Sequence, residues 1–99
     1  MTVYVDSAFI PYRNMLMCHM IADSREELDQ MADLIGVNRK WIQDPGTYRE
    51  HYDIAKSKRQ LAIENGAIEI TFKEFGYKLL ERKKVFLESI RANKTATED

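Results

Sequence analysis

Cysteine is nearly missing from this chain: Cys18 stands alone among 99 residues. That excludes an intramolecular disulfide and a cysteine-built zinc cage, and a reducing compartment is the simpler expectation. Glycine and proline are also sparse, at 4 and 2, and no Gly-rich phosphate loop, serine nucleophile elbow or long low-complexity segment occurs. No apolar run approaches the roughly 18 residues of a membrane span, and Met1–Asp6 has no basic stretch leading into an apolar core, so a cytoplasmic protein without a membrane partner is expected. An excess of either charge is missing too, with 15 Lys and Arg against 16 Asp and Glu. The formal net charge is −1, which gives no pull toward a nucleic-acid duplex.

What remains is ordinary globular material, 44% hydrophobic and 31% charged, in one domain's length of chain. A single α/β domain over residues 1–92 is expected, with a flexible polar tail at 93–99. Thr2 to Asp6 alternates like a strand, residues 7 to 14 read as a loop around Pro11, and Met15 to Ile21 is apolar apart from His19, as in a strand buried on both faces. Ser24 and Glu27 have capping-box spacing, Leu28, Met31, Ala32 and Ile35 recur at helical spacing, and Gly36 supplies a left-handed stop. Val37 to Ile42 then reads as a strand. Asp44-Pro45-Gly46-Thr47 is turn chemistry that opens an exposed, mobile loop reaching His51. A second helix follows, with a capping box at Ser57 and Gln60 and closure at Asn65-Gly66, and Ala67 to Thr71 is a further strand. Thr71 and Glu74 cap a long C-terminal helix striped by Phe72, Phe75, Leu79, Phe86 and Ile90. Strands separated by helices predict a small, mostly parallel sheet of about four strands with helices packed on it.

The chemistry gathers around the 2 histidines. In the run His19-Met20-Ile21-Ala22-Asp23 and again in His51-Tyr52-Asp53, an imidazole has a carboxylate close behind it, the pairing used in acid-base chemistry, metal binding and phosphate contact. In a parallel sheet, Asp6, Asp23 and the loop carrying His51 and Asp53 would meet at the carboxyl edge, where ligands gather. Cys18 alternates to the face opposite His19, which argues against a Cys-His nucleophile pair. Lys58 and Arg59 sit at a helix start, where cations oppose the dipole unless an anion binds there. Arg39 and Lys40 before Trp41 form a basic-aromatic cluster suited to a base or sugar-phosphate; Arg13 has no such context. The expected catalytic residues are therefore His19, His51 and Asp53, and the expected ligand contacts are Asp6, Asp23, Arg39, Tyr52, Lys58 and Arg59. His19, Asp23, His51 and Asp53 have donor types acceptable to zinc, manganese or iron, but no pair shows the i, i+4 spacing of helical histidine motifs. No metal ligand is assigned on that basis, no cofactor is expected, and a divalent metal is the lesser alternative.

Val5-Asp6, His19 with Ala22-Asp23, Glu27-Leu28, Gly36, Arg39, His51-Tyr52-Asp53, Arg59 and Gly66-Ala67 together resemble a small bacterial and phage family described only as a domain of unknown function. The resemblance spans about residues 3 to 70 and is carried by the HMxAD run and the HYD tripeptide. Many members have a histidine after the Glu-Leu pair, where this chain has Asp29, so the resemblance does not provide a third histidine. It implies a bacterial cell or phage-infected host, and a phage protein of this size acting on host defence through a nucleotide signal or a host protein.

Three functions compete. One is a site for a small anionic, phosphorylated or nucleotide-like ligand, with hydrolysis as its reaction. Another is a non-catalytic phage-type protein that sequesters a nucleotide or docks on a host protein. The third is a homo-oligomer built through the apolar stripe of the C-terminal helix.

Overall fold

A computed structural model describes residues 2–97, with side chains through residue 92. The chain forms β1 (Val3–Val5), β2 (Ile10–Tyr12), β3 (Met15–Ala22), α1 (Arg25–Ile35), a 3-10 turn (Arg39–Trp41), β4 (Tyr52–Ala55), α2 (Lys56–Glu64), β5 (Ile68–Glu69) and α3 (Phe72–Thr97). It is a mixed α/β fold on a five-stranded sheet, and the long C-terminal helix is present. The expected tail at 93–99 falls partly on helical backbone, which continues to Thr97, while residues 98 and 99 lie outside the described residues. Among the described residues, no helix is long and apolar enough to cross a membrane.

The sheet is mostly antiparallel, which corrects the expected parallel arrangement. β3 is its spine: β1 and β2 pair antiparallel with it on one side and β4 antiparallel on the other, whereas β1 and β5 form the parallel pair. Three local features account for the difference. Pro11 marked residues 7–14 as loop, yet β2 is an edge strand, where a missing N–H is tolerated. Tyr12 and Met15 are register partners across a two-residue hairpin turn, with Arg13 at φ 57°. Val37 to Ile42, expected as a strand, instead contains the 3-10 turn, which Asn38 caps by accepting from the Lys40 backbone. The missing strand is β4, in a segment read as the end of a loop.

Alternation along β3 and β4 sorts side chains to two sides. Cys18, Met20, Tyr52 and Ile54 face α1 and α2, forming the main core with Leu28, Met31, Ala32, Ile35 and Ala62. Burying an apolar side chain of this size stabilises by about 1.5–3 kcal/mol. The other face is thinner: Ile21 packs with Ile70 and Phe75 at the start of α3. His19 lies on this second side, opposite Cys18 as the period-2 pattern requires.

Two helix starts follow the sequence pattern and one does not. Ser24 caps α1 by accepting from the Glu27 backbone, and Thr71 and Glu74 close a full reciprocal box at 3.0 Å in both directions. α2 begins after Ala55 without a side-chain cap. The expected Ser57–Gln60 box is absent because the helix has already started at Lys56, placing Ser57 inside its first turn. Gly36 ends α1 at φ 79°, a left-handed position that glycine adopts without strain.

Candidate functional site

Cross-strand register builds the site. His19 and Asp53 are direct partners across the β3–β4 pair, so their side chains rise side by side from the face that α3 covers. His51 arrives just before β4, where Gln43 and His51 exchange backbone hydrogen bonds of 2.8 and 3.2 Å. That bridge closes the Asp44–Glu50 loop. The loop is exposed, but it is tied down by the Gly46 N–H donating to Glu50 at 2.7 Å and by Arg25 pairing with Glu50 at 3.2 Å.

Asp6 lies under this cluster with no solvent exposure, 0%. One carboxylate oxygen accepts from the His19 backbone at 2.8 Å and from Ala8 at 3.2 Å, and the other meets His19 Nδ1 at 2.6 Å. The Asp6 backbone also donates to the His19 carbonyl at 3.0 Å, so the two segments are aligned where the side chains meet. Nδ1 is thus turned inward onto the carboxylate, and Nε2 faces outward. His51 is held the same way, its Nδ1 against the Arg49 carbonyl.

Both outward Nε2 atoms converge on one oxygen of Asp53, at 3.8 Å from His19 and 3.3 Å from His51. Burial works against a charged His51, but Asp53 and the Arg49 carbonyl outweigh it and raise its pKa above the ordinary value. The hydrogen bond with His51 correspondingly holds the Asp53 carboxyl low, against partial burial, and the charges of His51 and His19 add to it. One nitrogen or oxygen from each of His19, His51 and Asp53 lies within 4.8 Å of the others. Phe75 stacks on the His19 ring at 4.6 Å and Phe72 at 5.9 Å, walling one side of the cluster.

Not every expected contact joins this group. Asp23 lies past the end of β3 and borders a separate cleft of about 630 Å³ with Arg82. Tyr52 points to the opposite side of the sheet, fully buried, donating to Asp29 at 2.7 Å, and Arg25 also grips Asp29 at 2.9 Å. Burial and the neighbouring Asp29 both push the Tyr52 pKa up. Arg39 pairs with Asp33 at 2.8 Å. The Lys58 ammonium rests beside Gly36, 3.2 Å from where a Cβ would stand. At that position it complements the carbonyl end of α1, which accounts for a cation near the start of α2. Arg59 donates to the Asp6 carbonyl at 2.7 Å, pairs with Glu69 at 3.1 Å and covers the Phe9 ring. It braces the segment after β1, where Phe9 sits at φ 46°, a conformation costing on the order of 1–3 kcal/mol.

Tyr52→Phe is therefore expected to cost about 1 kcal/mol, the worth of one hydrogen bond whose acceptor keeps another partner. Ligand affinity should not change. Urea unfolding alongside calorimetric titration checks both, and a tenfold affinity loss at unchanged stability would return Tyr52 to the site.

Phe72 and Phe75 were not among the expected site residues. Their signal was the Thr71–Glu74 cap, which starts α3 directly after β5 and sets its first turn against β3. Beside the cluster runs a cleft of about 770 Å³ lined by His19 and Asp53 at one end and by Met17, Tyr12, Arg13 and Trp41 elsewhere. Trp41 is 58% exposed, with the Lys40 ammonium 5.0 Å above its ring.

A family model described as "Protein of unknown function (DUF4031)" matches residues 3–82. No curated protein and no solved structure matches the chain.

Proposed function

The chain belongs to the DUF4031 family, and we propose that it binds a small phosphorylated, nucleotide-like ligand in the cleft beside β3 and hydrolyses it at the His19–His51–Asp53 end. The observation that carries this reading is the convergence of three titratable side chains from two strands and a loop, with His19 oriented by a buried carboxylate. Surface histidines and aspartates have no need of such support. A cleft of about 770 Å³ is within the size range of small-molecule sites, roughly 300–1,000 Å³. Trp41 offers an exposed ring for a planar base, and Lys40 and Arg13 bring positive charge to that part of the cleft. The reaction is phosphoester hydrolysis: the oxygen of water bonds to phosphorus, the ester P–O bond breaks, and the departing oxygen takes up a proton.

The test is a panel of nucleotides and sugar phosphates followed by phosphorus NMR, with the histidine ring resonances of the protein recorded in parallel. At least one compound should shift both histidines and disappear at less than stoichiometric protein. If no compound perturbs either ring, the reading fails. If a compound binds and is recovered intact from equimolar protein, the site is one of sequestration and the hydrolytic half of the reading fails.

A further inference from the structure

A phosphorylated ligand approaching His19 meets two carboxylates, Asp6 below and Asp53 beside. The arginines and lysine expected to offset them are engaged elsewhere: Arg39 on Asp33, Lys58 at the end of α1, Arg59 on the Asp6 carbonyl and Glu69. Arg13 lies at the hairpin turn, beyond Met15, with about 13 Å of strand between Met15 and His19. The ligand end is therefore built for a cation.

We propose that His19 Nε2, His51 Nε2 and one Asp53 oxygen are three ligands of a divalent first-row transition-metal ion. Asp6 and the Arg49 carbonyl are the groups that orient the two imidazoles. What the ion does for a phosphorylated ligand rests on the preceding reading, whereas its binding does not.

Geometry is the first argument. Metal–ligand bonds of about 2.0–2.1 Å place neighbouring donors of a tetrahedron about 3.3 Å apart. The Asp53 oxygen is 3.3 Å from His51 Nε2 and 3.8 Å from His19 Nε2, and a donor atom from each of the three residues lies within 4.8 Å of the others. Small side-chain rotations close such a triangle onto an ion. At 3.8 Å, His19 Nε2 is beyond hydrogen-bond reach of the carboxylate it faces.

Tautomer control is the second. A metal-bound imidazole binds through one nitrogen and commonly donates its other N–H to a carboxylate or a backbone carbonyl. Both acceptors are here, Asp6 for His19 at 2.6 Å and the Arg49 carbonyl for His51. These bonds keep Nδ1 of each ring on its own acceptor and leave Nε2 as the nitrogen available to an ion, which would take the place of the proton that His51 Nε2 shares with Asp53.

Donor chemistry narrows the ion. Two imidazoles and a carboxylate suit zinc, iron(II) or manganese(II). Calcium and magnesium favour all-oxygen sites, and soft copper(I) favours sulfur, while Cys18 is on the other side of the sheet. Three protein ligands leave coordination positions open. Asp53 is 44% exposed, so those positions face the cleft, where water and a phosphate oxygen would enter.

The experiment titrates the chelator-stripped full chain with zinc, manganese(II) and iron(II) by calorimetry, with native mass spectrometry for stoichiometry. One ion per chain at micromolar or tighter affinity is expected. Asp53→Ala and His51→Ala should each weaken binding by about 100-fold, and Asp6→Asn by roughly 10- to 100-fold, at unchanged circular dichroism. Binding of none of the three ions by the native chain overturns the proposal, as does native-like affinity in His51→Ala. The native titration decides the matter even if a variant misfolds. An ion bound without effect on any phosphorylated compound defeats the ligand reading and leaves the metal site standing. Turnover that persists in excess chelator, together with no ion bound in the titration, does the reverse.

Discussion

His51→Ala should lower turnover of the proposed phosphorylated ligand by at least about 100-fold while the domain stays folded, whether its Nε2 acts on the reacting groups itself or holds the proposed ion. His51 supplies one of the two outward nitrogens, and its ring is held by the Arg49 carbonyl, by Asp53 and edge-on by the His19 ring at 5.4 Å. It precedes β4, and although its side chain is only 14% exposed it packs against polar groups and the His19 ring. The Gln43–His51 bridge is made by backbone atoms and survives the change. The stability loss should stay near 1 kcal/mol. Steady-state turnover together with a urea midpoint checks both parts, and a variant with full turnover and affinity would remove His51 from the mechanism.

Asp6→Ala should be the most destabilising change at the site, at about 2–4 kcal/mol, a large share of the 5–15 kcal/mol typical of a whole domain. The carboxylate is fully buried and accepts from two backbone N–H groups and one imidazole. Alanine leaves all three donors without their acceptor. Asp6→Asn separates folding from function. Its carbonyl still accepts from the backbone, so stability should fall by only about 1–2 kcal/mol. Its amide can donate toward His19 Nδ1, which moves the ring proton to Nε2 and removes the lone pair facing Asp53. Activity should then fall nearly as far as in His51→Ala although the fold persists. If Asp6→Asn is as active as the native chain, the Asp6–His19 bond is structural alone.

Much of the local structure was legible. Ser24 with Glu27, Gly36, and Thr71 with Glu74 each carried their own capping chemistry, and each marks a real helix boundary. Alternation correctly separated Cys18 from His19. The sequence also groups His19, His51, Asp53 and Asp6, but together with Asp23, which borders a separate cleft, and by a wrong route. A parallel sheet was expected to gather them at strand ends, whereas antiparallel pairing of β3 with β4 sets His19 opposite Asp53 in mid-sheet.

The failures share a cause. Tyr52 to Ala55 has only four residues, with Asp53 polar between buried Tyr52 and Ile54, and a strand that short is defined by its partner more than by its own pattern. Lys58, Arg59 and Arg39 looked like ligand contacts because a charge's partner is invisible along the chain. Lys58 meets the end of α1, Arg59 meets the carbonyl of Asp6 fifty-three positions away, and Arg39 meets Asp33.

The residue order by itself determined the helix limits set by side-chain caps and a glycine, the apolar faces, and which residue types were available for chemistry, because these depend on neighbours within about four positions. Only the tertiary structure decided the direction of the sheet, the pairing of His19 with Asp53, the burial of Asp6 beneath them and the diversion of the basic residues. Those outcomes depend on long-range backbone register and on competition among distant partners for each charge.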